Sequence, residues 1–363
     1  MIFPTFDRMN NKLKNGIALL LPIQIVMVKW LANYPDFIEQ YYSNGIYQYT
    51  ATFFRFVLGW IPFSVGDILY ALLVLIAVRY IIVKRNYIKH KPLSFLRNIT
   101  VVLSIAYFTF HITWGFNYYR EPLYKTLQIK NSHTLVELED FVNLLVQKTN
   151  TIHYTITQDT TKRVVIPYTK AEIFKHTMDG YTQLEQKYPF LSYTPSSLKT
   201  SLFSTGLSYS GYGGYLNPFT NEAQVNGKIP LYRFPVIAGH EAGHQIGYSA
   251  ENETNFIGYL VTANNTDIYF KYAAYSYALS YCLSDIRYND EALFNTLYAK
   301  LNVGVKKNYQ ELSDFWMTYN NPLEPTMKTI YSTFLKANNQ ADGIKSYSRI
   351  VSLLVSYHMK NPL

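Results

Sequence analysis

Three apolar runs fall within the first 116 residues, and each is long enough to need either a bilayer or a deep core around it. The first, 17–31, is broken only by Gln24 and by Lys29, which can snorkel from its end. The second, 68–83, is interrupted only by tyrosines and Arg79. The third, 99–116, runs out into Trp114, Phe116, Tyr118 and Tyr119, an aromatic belt of the interfacial kind. Buried helices of a soluble protein are seldom clustered like this between basic and aromatic flanks, so three transmembrane helices are expected. Arg8, Lys12 and Lys14 would suit a signal peptide. However, Asn33-Tyr34-Pro35-Asp36 follows the first run with no small-x-small cleavage pattern, so an uncleaved anchor is expected.

The net charge of +9 has its source here. Residues 1–119 hold 11 Lys+Arg against 4 Asp+Glu, whereas the rest of the 363-residue chain is nearly balanced. Its basic residues form no stripe, which argues against a nucleic-acid partner. The loop at 34–59 has only Arg55 against Asp36 and Glu39, while the next loop carries Lys84, Arg85, Lys89, Lys91 and Arg97. By the positive-inside rule the N-terminus and second loop are cytoplasmic, and everything after Phe116 is extracytoplasmic. The expected division is a membrane anchor at 1–116 and a second domain at 117–363. The lone Cys282 permits no internal disulfide.

Beyond the anchor, Leu135, Leu138, Val142 and Leu145 repeat with helical spacing, and Thr169 to Glu172 reads as a capping box. The Thr- and Val-rich stretch 154–166 is expected to be extended. Glycines at 206, 211, 213, 214 and 227 predict short strands or a hairpin, and after Pro235 the chain reads as helical to its end. The fold class is therefore mainly α, with a small sheet or hairpin in the second domain.

The chemistry concentrates at His240-Glu241-Ala242-Gly243-His244. On a helix, positions i and i+4 share a face, so both imidazoles can reach one metal ion. Two neutral imidazoles and a carboxylate suit Zn²⁺ and leave one position for water, with Glu241 placed to take its proton. Pro235 and Gly247 bound one short helix. A metzincin would place a third histidine where Ala250 stands, which excludes that class. The third ligand must then come from a second helix starting near Ser249, where Glu251 and Glu253 lie on different faces. Glu253 shares its face with Phe256, Ile257 and Leu260, and a carboxylate buried there would need a partner. Glu253 is the expected ligand and Glu251 the reserve.

Four stretches resemble one family: W-G-F-N-Y-Y-R-E-P-L at 114–123, S-G-Y-G-G-Y-L-N-P-F-T-N-E-A at 210–223, the metal segment, and K-A-N-N-Q-A-D-G-I-K-S-Y at 336–347. The chain is similar to an uncharacterised bacterial family of membrane-anchored H-E-x-x-H proteins, classed as a domain of unknown function. Ala242 and Gly243 depart from the bulkier residue and alanine usual there, leaving the ligand and base positions intact. The resemblance implies a gluzincin-like, zincin-fold zinc peptidase in the bacterial inner membrane, with the Glu of E-N-E-T-N-F, matched to Glu253, as third ligand. Zincins commonly hold an extended peptide against an edge strand, which makes Gly213, Gly214 and Tyr215 candidates for the substrate rim. Tyr347 and His358 are possible oxyanion donors, but helical tyrosines near a C-terminus are more often core, and neither is assigned. The expected function is hydrolysis of peptide bonds in a peptide or protein substrate. The rival is a zinc-binding membrane sensor or peptide-binding protein without catalysis.

Overall fold

The computed structural model describes residues 9–340 and 349–363. Arg8, Tyr347 and the end of the 336–347 stretch lie outside the described residues. The chain runs through α1 (Asn11–Leu31), a kinked helical segment at Ile38–Ile46, α2 (Tyr47–Leu58), α3 (Val65–Val83) and α4 (Pro92–Thr113). Helices α1, α3 and α4 are long and apolar enough to cross a membrane. At 1.5 Å per residue they measure about 28–33 Å, the thickness of a bilayer's hydrocarbon core. Their apolar side chains, among them Leu19, Val26, Leu72, Leu75, Val102 and Phe108, face outward uncovered by protein. A contiguous apolar surface of this extent belongs against lipid.

The longer helices that follow are α5 (Leu135–Thr157), α6 (Lys170–Glu185), α7 (Phe234–Gln245), α8 (Glu251–Ala263), α9 (Ile268–Asn289), α10 (Glu291–Ala299), α11 (Val303–Thr318), α12 (Glu324–Ala337) and α13 (Ile350–Lys360). Short helical turns lie at Arg85–His90, Leu123–Thr126 and Ser204–Ser210. Capping boxes open α5 at Thr134 and α6 at Thr169, each with a glutamate three residues on. The stretch 154–166 is not the extended segment its composition predicts. Helix α5 runs on to Thr157, and no strand follows before residue 198. The Thr155 and Thr157 hydroxyls donate to the carbonyls of Thr151 and His153, so these residues satisfy themselves inside the helix.

The glycine-rich region does contain the expected hairpin. Strands β1 (Leu198–Thr200), β2 (Gly214–Asn217) and β3 (Glu222–Val225) form one sheet in the order β1-β3-β2, with β2 antiparallel to β3 and at the edge. The fold is thus mainly helical with a small sheet.

Helices α7 and α8 form the centre, and both are buried almost all round. They cross where Gly239 meets Gly258. A Cβ on Gly258 would stand 2.6 Å from the Val236 carbonyl oxygen and 2.9 Å from the His240 nitrogen. Only two glycines let the backbones come this close.

The outer ends of the spans are built into this body. The buried Glu222 carboxylate accepts from the backbone nitrogens of Val65 (3.1 Å) and Gly66 (2.6 Å), filling the unpaired donors at the N-terminus of α3. Asp67, in the first turn of α3, accepts from Leu202 N (2.6 Å), Ser201 Oγ (3.1 Å) and the Tyr215 hydroxyl. Lys199 on β1 donates to the carbonyls of Leu58, Gly59 and Ile61. The first loop and the sheet therefore share one side, and the basic turn at 84–91 lies a full span away.

Gly258→Ala should separate α7 from α8, since backbone atoms leave the new methyl no room. Overpacking of this kind costs roughly 1–3 kcal/mol. Thermal unfolding of the detergent-solubilised protein should show a Tm several degrees lower. An unchanged Tm would mean that the crossing is looser than described.

Candidate metal centre

Helix α7 carries His240 and His244 on one face, one turn apart, with ring centroids 4.8 Å apart. The carboxylate that meets them is that of Glu251. Its Oε2 lies 3.4 Å from His240 Nε2 and 3.7 Å from His244 Nε2, and all three side chains are buried. One donor atom from each lies within 4.8 Å of the others.

The expectation for Glu253 is therefore corrected. Its Oε1 accepts from the backbone nitrogen of Leu123 at 2.7 Å, away from the imidazoles. Burial pushes its carboxyl up to about 7, against the Leu123 hydrogen bond and the charge of Arg120. The two glutamates do occupy different faces, but the face of Glu251, Thr254, Asn255 and Gly258 is not exposed. It is the one pressed onto α7 through the glycine crossing. Gly239 and Gly258 were the available signal, since a glycine on each of two helices marks close approach.

The donor set fits a divalent metal of the zinc type. Bonds of about 2.0–2.1 Å in a tetrahedral array place ligand atoms about 3.3–3.4 Å apart, close to the separations from Glu251. His244 Nδ1 lies 2.7 Å from the Tyr248 carbonyl oxygen, a contact that assigns its proton to Nδ1 and leaves the Nε2 lone pair facing the site. Glu251 Oε1 accepts from the Tyr331 hydroxyl at 2.6 Å. Burial alone would raise the Glu251 carboxyl, but hydrogen bonding and charge from the two imidazoles, when these are protonated, hold it well below the ordinary range.

Glu241 projects from the same helix turn. Burial pushes its carboxyl up to about 7, assisted by the Glu251 charge and opposed by the two imidazoles. Its Oε2 is buried with no hydrogen-bond partner. A Cβ on Gly214 would fall 2.5 Å from its Oε1, so only glycine lets edge strand β2 pass this close. A cleft of about 720 Å³ opens here, and Gly213, Gly214, Tyr215, His240, Glu241, His244 and Glu251 all line it. The rim residues expected from the sequence are thus on the cleft wall.

His358 is elsewhere. Its Nε2 pairs with the Tyr259 hydroxyl at 2.7 Å and its ring stacks on Phe141 in the core. Sequence reasoning did not single out Tyr212, Asn255 or Tyr331. All three line the cleft, and the Tyr212 hydroxyl is buried there without a hydrogen-bond partner. Tyrosines are so abundant in this chain that no local pattern separates these from packing residues.

The carboxyl end of α7 is held from the membrane side. Trp114 Nε1 donates to the His244 carbonyl at 3.2 Å, and Arg55 and Tyr47 donate to that of Gln245 at 3.2 and 2.9 Å. Arg120 donates to Gly247 O at 2.9 Å while making a two-point pair with Glu39.

No curated protein matches the chain, and no solved structure does. A family model described as a protein of unknown function (DUF3810) matches residues 42–355. That match takes in α2, two of the three spans, the sheet and the His-His-Glu cluster, and the chain belongs to this family.

Proposed function

We propose that the protein is a membrane-anchored zinc metallopeptidase of the gluzincin kind, with a zincin-like arrangement of edge strand, H-E-x-x-H helix and glutamate helix. The observation that carries this is the convergence of His240, His244 and Glu251 beside Glu241 in a cleft walled by an edge strand. A zinc ion held by the two imidazoles and Glu251 would polarise a peptide carbonyl and acidify water. Strand β2 would align an extended peptide through backbone hydrogen bonds, with Gly214 keeping the path open to Glu241. Glu241 would accept the proton of the attacking water on its carboxylate and pass it to the leaving amine. A role limited to metal binding would give no reason for a carboxylate in that position, directed at the strand.

The purified protein should hold about one zinc per chain, as three-ligand catalytic sites do. His240→Ala, His244→Ala and Glu251→Gln should each lose most of it by elemental analysis. Glu253→Gln should keep it, because that side chain serves Leu123 and not the imidazoles. Loss of zinc in Glu253→Gln with retention in Glu251→Gln would reverse the assignment.

Glu241→Gln should retain zinc and the thermal stability of the parent while hydrolysis of a peptide library falls about 10²–10⁴-fold, the usual share of general base catalysis. Undiminished hydrolysis in that variant would remove Glu241 from the mechanism and favour the binding-protein reading.

The basic turn at 84–91 and the acidic first loop support an inner-membrane orientation with the cleft on the extracytoplasmic side. A reporter active only outside the cytoplasm should work when fused after Leu363 and stay silent when inserted within 86–96. The opposite pattern would put the catalytic side in the cytoplasm.

A further inference from the structure

The cleft is not walled by the soluble part alone. Tyr70 of α3 and Phe110 of α4 line it together with Trp114, Phe219 and Phe334. Tyr70 is the sixth residue of its span and Phe110 the fourth from the end of its own. At 1.5 Å per residue these side chains start about 5–8 Å inside the ends of the membrane helices.

The edge strand is fastened to the same place. The Tyr215 hydroxyl donates to Asp67 in the first turn of α3, and its ring stacks on Tyr70 with centroids 6.2 Å apart. Phe219, in the turn after β2, meets Tyr70 edge-on at 6.4 Å. A chain laid along β2 would therefore run beside the point where α3 leaves the bilayer. The metal helix is equally near, because His244 lies 6.0 Å ring to ring from Trp114, the residue directly after α4.

Helix α12 continues this apolar surface across the mouth. Met327, Ile330 and Phe334, with Leu323 just before the helix, fall at helical spacing and are all exposed. Phe334 packs against Phe110 of α4, centroids 6.2 Å apart. An amphipathic helix with its apolar stripe outward, joined to a span, has the form of one lying in the membrane interface.

We propose, building on the peptidase reading, that the substrate is a membrane-anchored polypeptide, cut in the extended segment just outside its transmembrane helix. The His-His-Glu cluster lies only one ring contact beyond the end of α4, and an extended chain advances about 3.3 Å per residue. The scissile bond should then fall within about four residues of the substrate's span. The aromatic wall of Tyr70, Phe110 and Phe219 would receive the residues that flank that span.

The test uses the zinc-loaded full-length protein in lipid vesicles. A randomised sixteen-residue peptide library is presented either free or fused to a single polyleucine span in the same vesicles, with Glu241→Gln as blank. Cleavage products are mapped by mass spectrometry. Cut sites of the fused library should cluster within about four residues of the span, at a rate at least tenfold above the free library. Position is the deciding readout, because confinement to the vesicle alone raises the rate. Cuts spread evenly along the fused library, or a free library cleaved equally fast, would overturn this proposal and leave the peptidase reading standing. Hydrolysis of neither library would overturn both.

Discussion

The C-terminus of α7 governs the site. A helix ends with carbonyls that have no partner of their own, and here those carbonyls are buried at the junction with the membrane part. Trp114, Tyr47, Arg55, Gln48 and Arg120 supply the donors for the carbonyls of His244 to Gly247. Two of these are guanidinium groups, and a cation at a helix C-terminus is favoured by the macrodipole. Arg55 is 2 % exposed and its burial lowers its pKa, so it sits at a desolvation cost that the carbonyl and the nearby tyrosines offset in part. His244 takes part in these contacts through its own carbonyl. Its imidazole is therefore fixed by groups that flank the spans, and the anchor and the site behave as one construction.

Glycine sets the other distances. Gly239 and Gly258 bring α8 close enough for Glu251 to reach the imidazoles, and Gly214 brings β2 against Glu241. Gly247, at φ +96°, turns the chain out of α7 so that the Tyr248 carbonyl folds back onto His244 Nδ1. At each position the missing side chain defines a contact between two functional groups.

The elements with strong periodicity or distinctive chemistry were legible in the sequence. The first two apolar runs, the capping box at Thr169, the helix from Pro235 to the turn at Gly247 and the hairpin around β2 appear close to where the residues place them. The third run, read as 99–116, lies instead in a helix from Pro92 to Thr113 that takes in Arg97. The choice between Glu251 and Glu253 was not legible, because it depended on which face of α8 meets α7. The apolar face of Phe256, Ile257 and Leu260 does go to the core, as its composition requires. The assumption that failed was that the polar face must then meet water. In α8 both faces are buried, and the polar one is buried against the site. The helical continuation through Thr157 was missed for a related reason, since β-branched residues favour strands only until their hydroxyls find carbonyls within a helix.

Tyrosine shows why anchor and site cannot be separated at a residue boundary. The side chain is apolar along its ring and polar at its tip, which suits a seam between lipid-facing and water-facing structure. Tyr42 donates to the carbonyls of His111 and Ile112 at the outer end of α4, at 3.0 and 3.1 Å. Tyr47 links α2 to α7, Tyr215 links the edge strand to α3, and Tyr331 links α12 to Glu251. Each places its ring against aromatic or apolar neighbours and donates its hydroxyl to an acceptor at a helix end or in the buried seam. A phenylalanine at any of these positions would keep the packing and leave a buried acceptor short of a donor, which is the more costly half of such a contact. The seam is therefore held by tyrosine hydroxyls together with the Arg55, Arg120, Lys199 and Glu222 contacts, and the cleft lies along that seam.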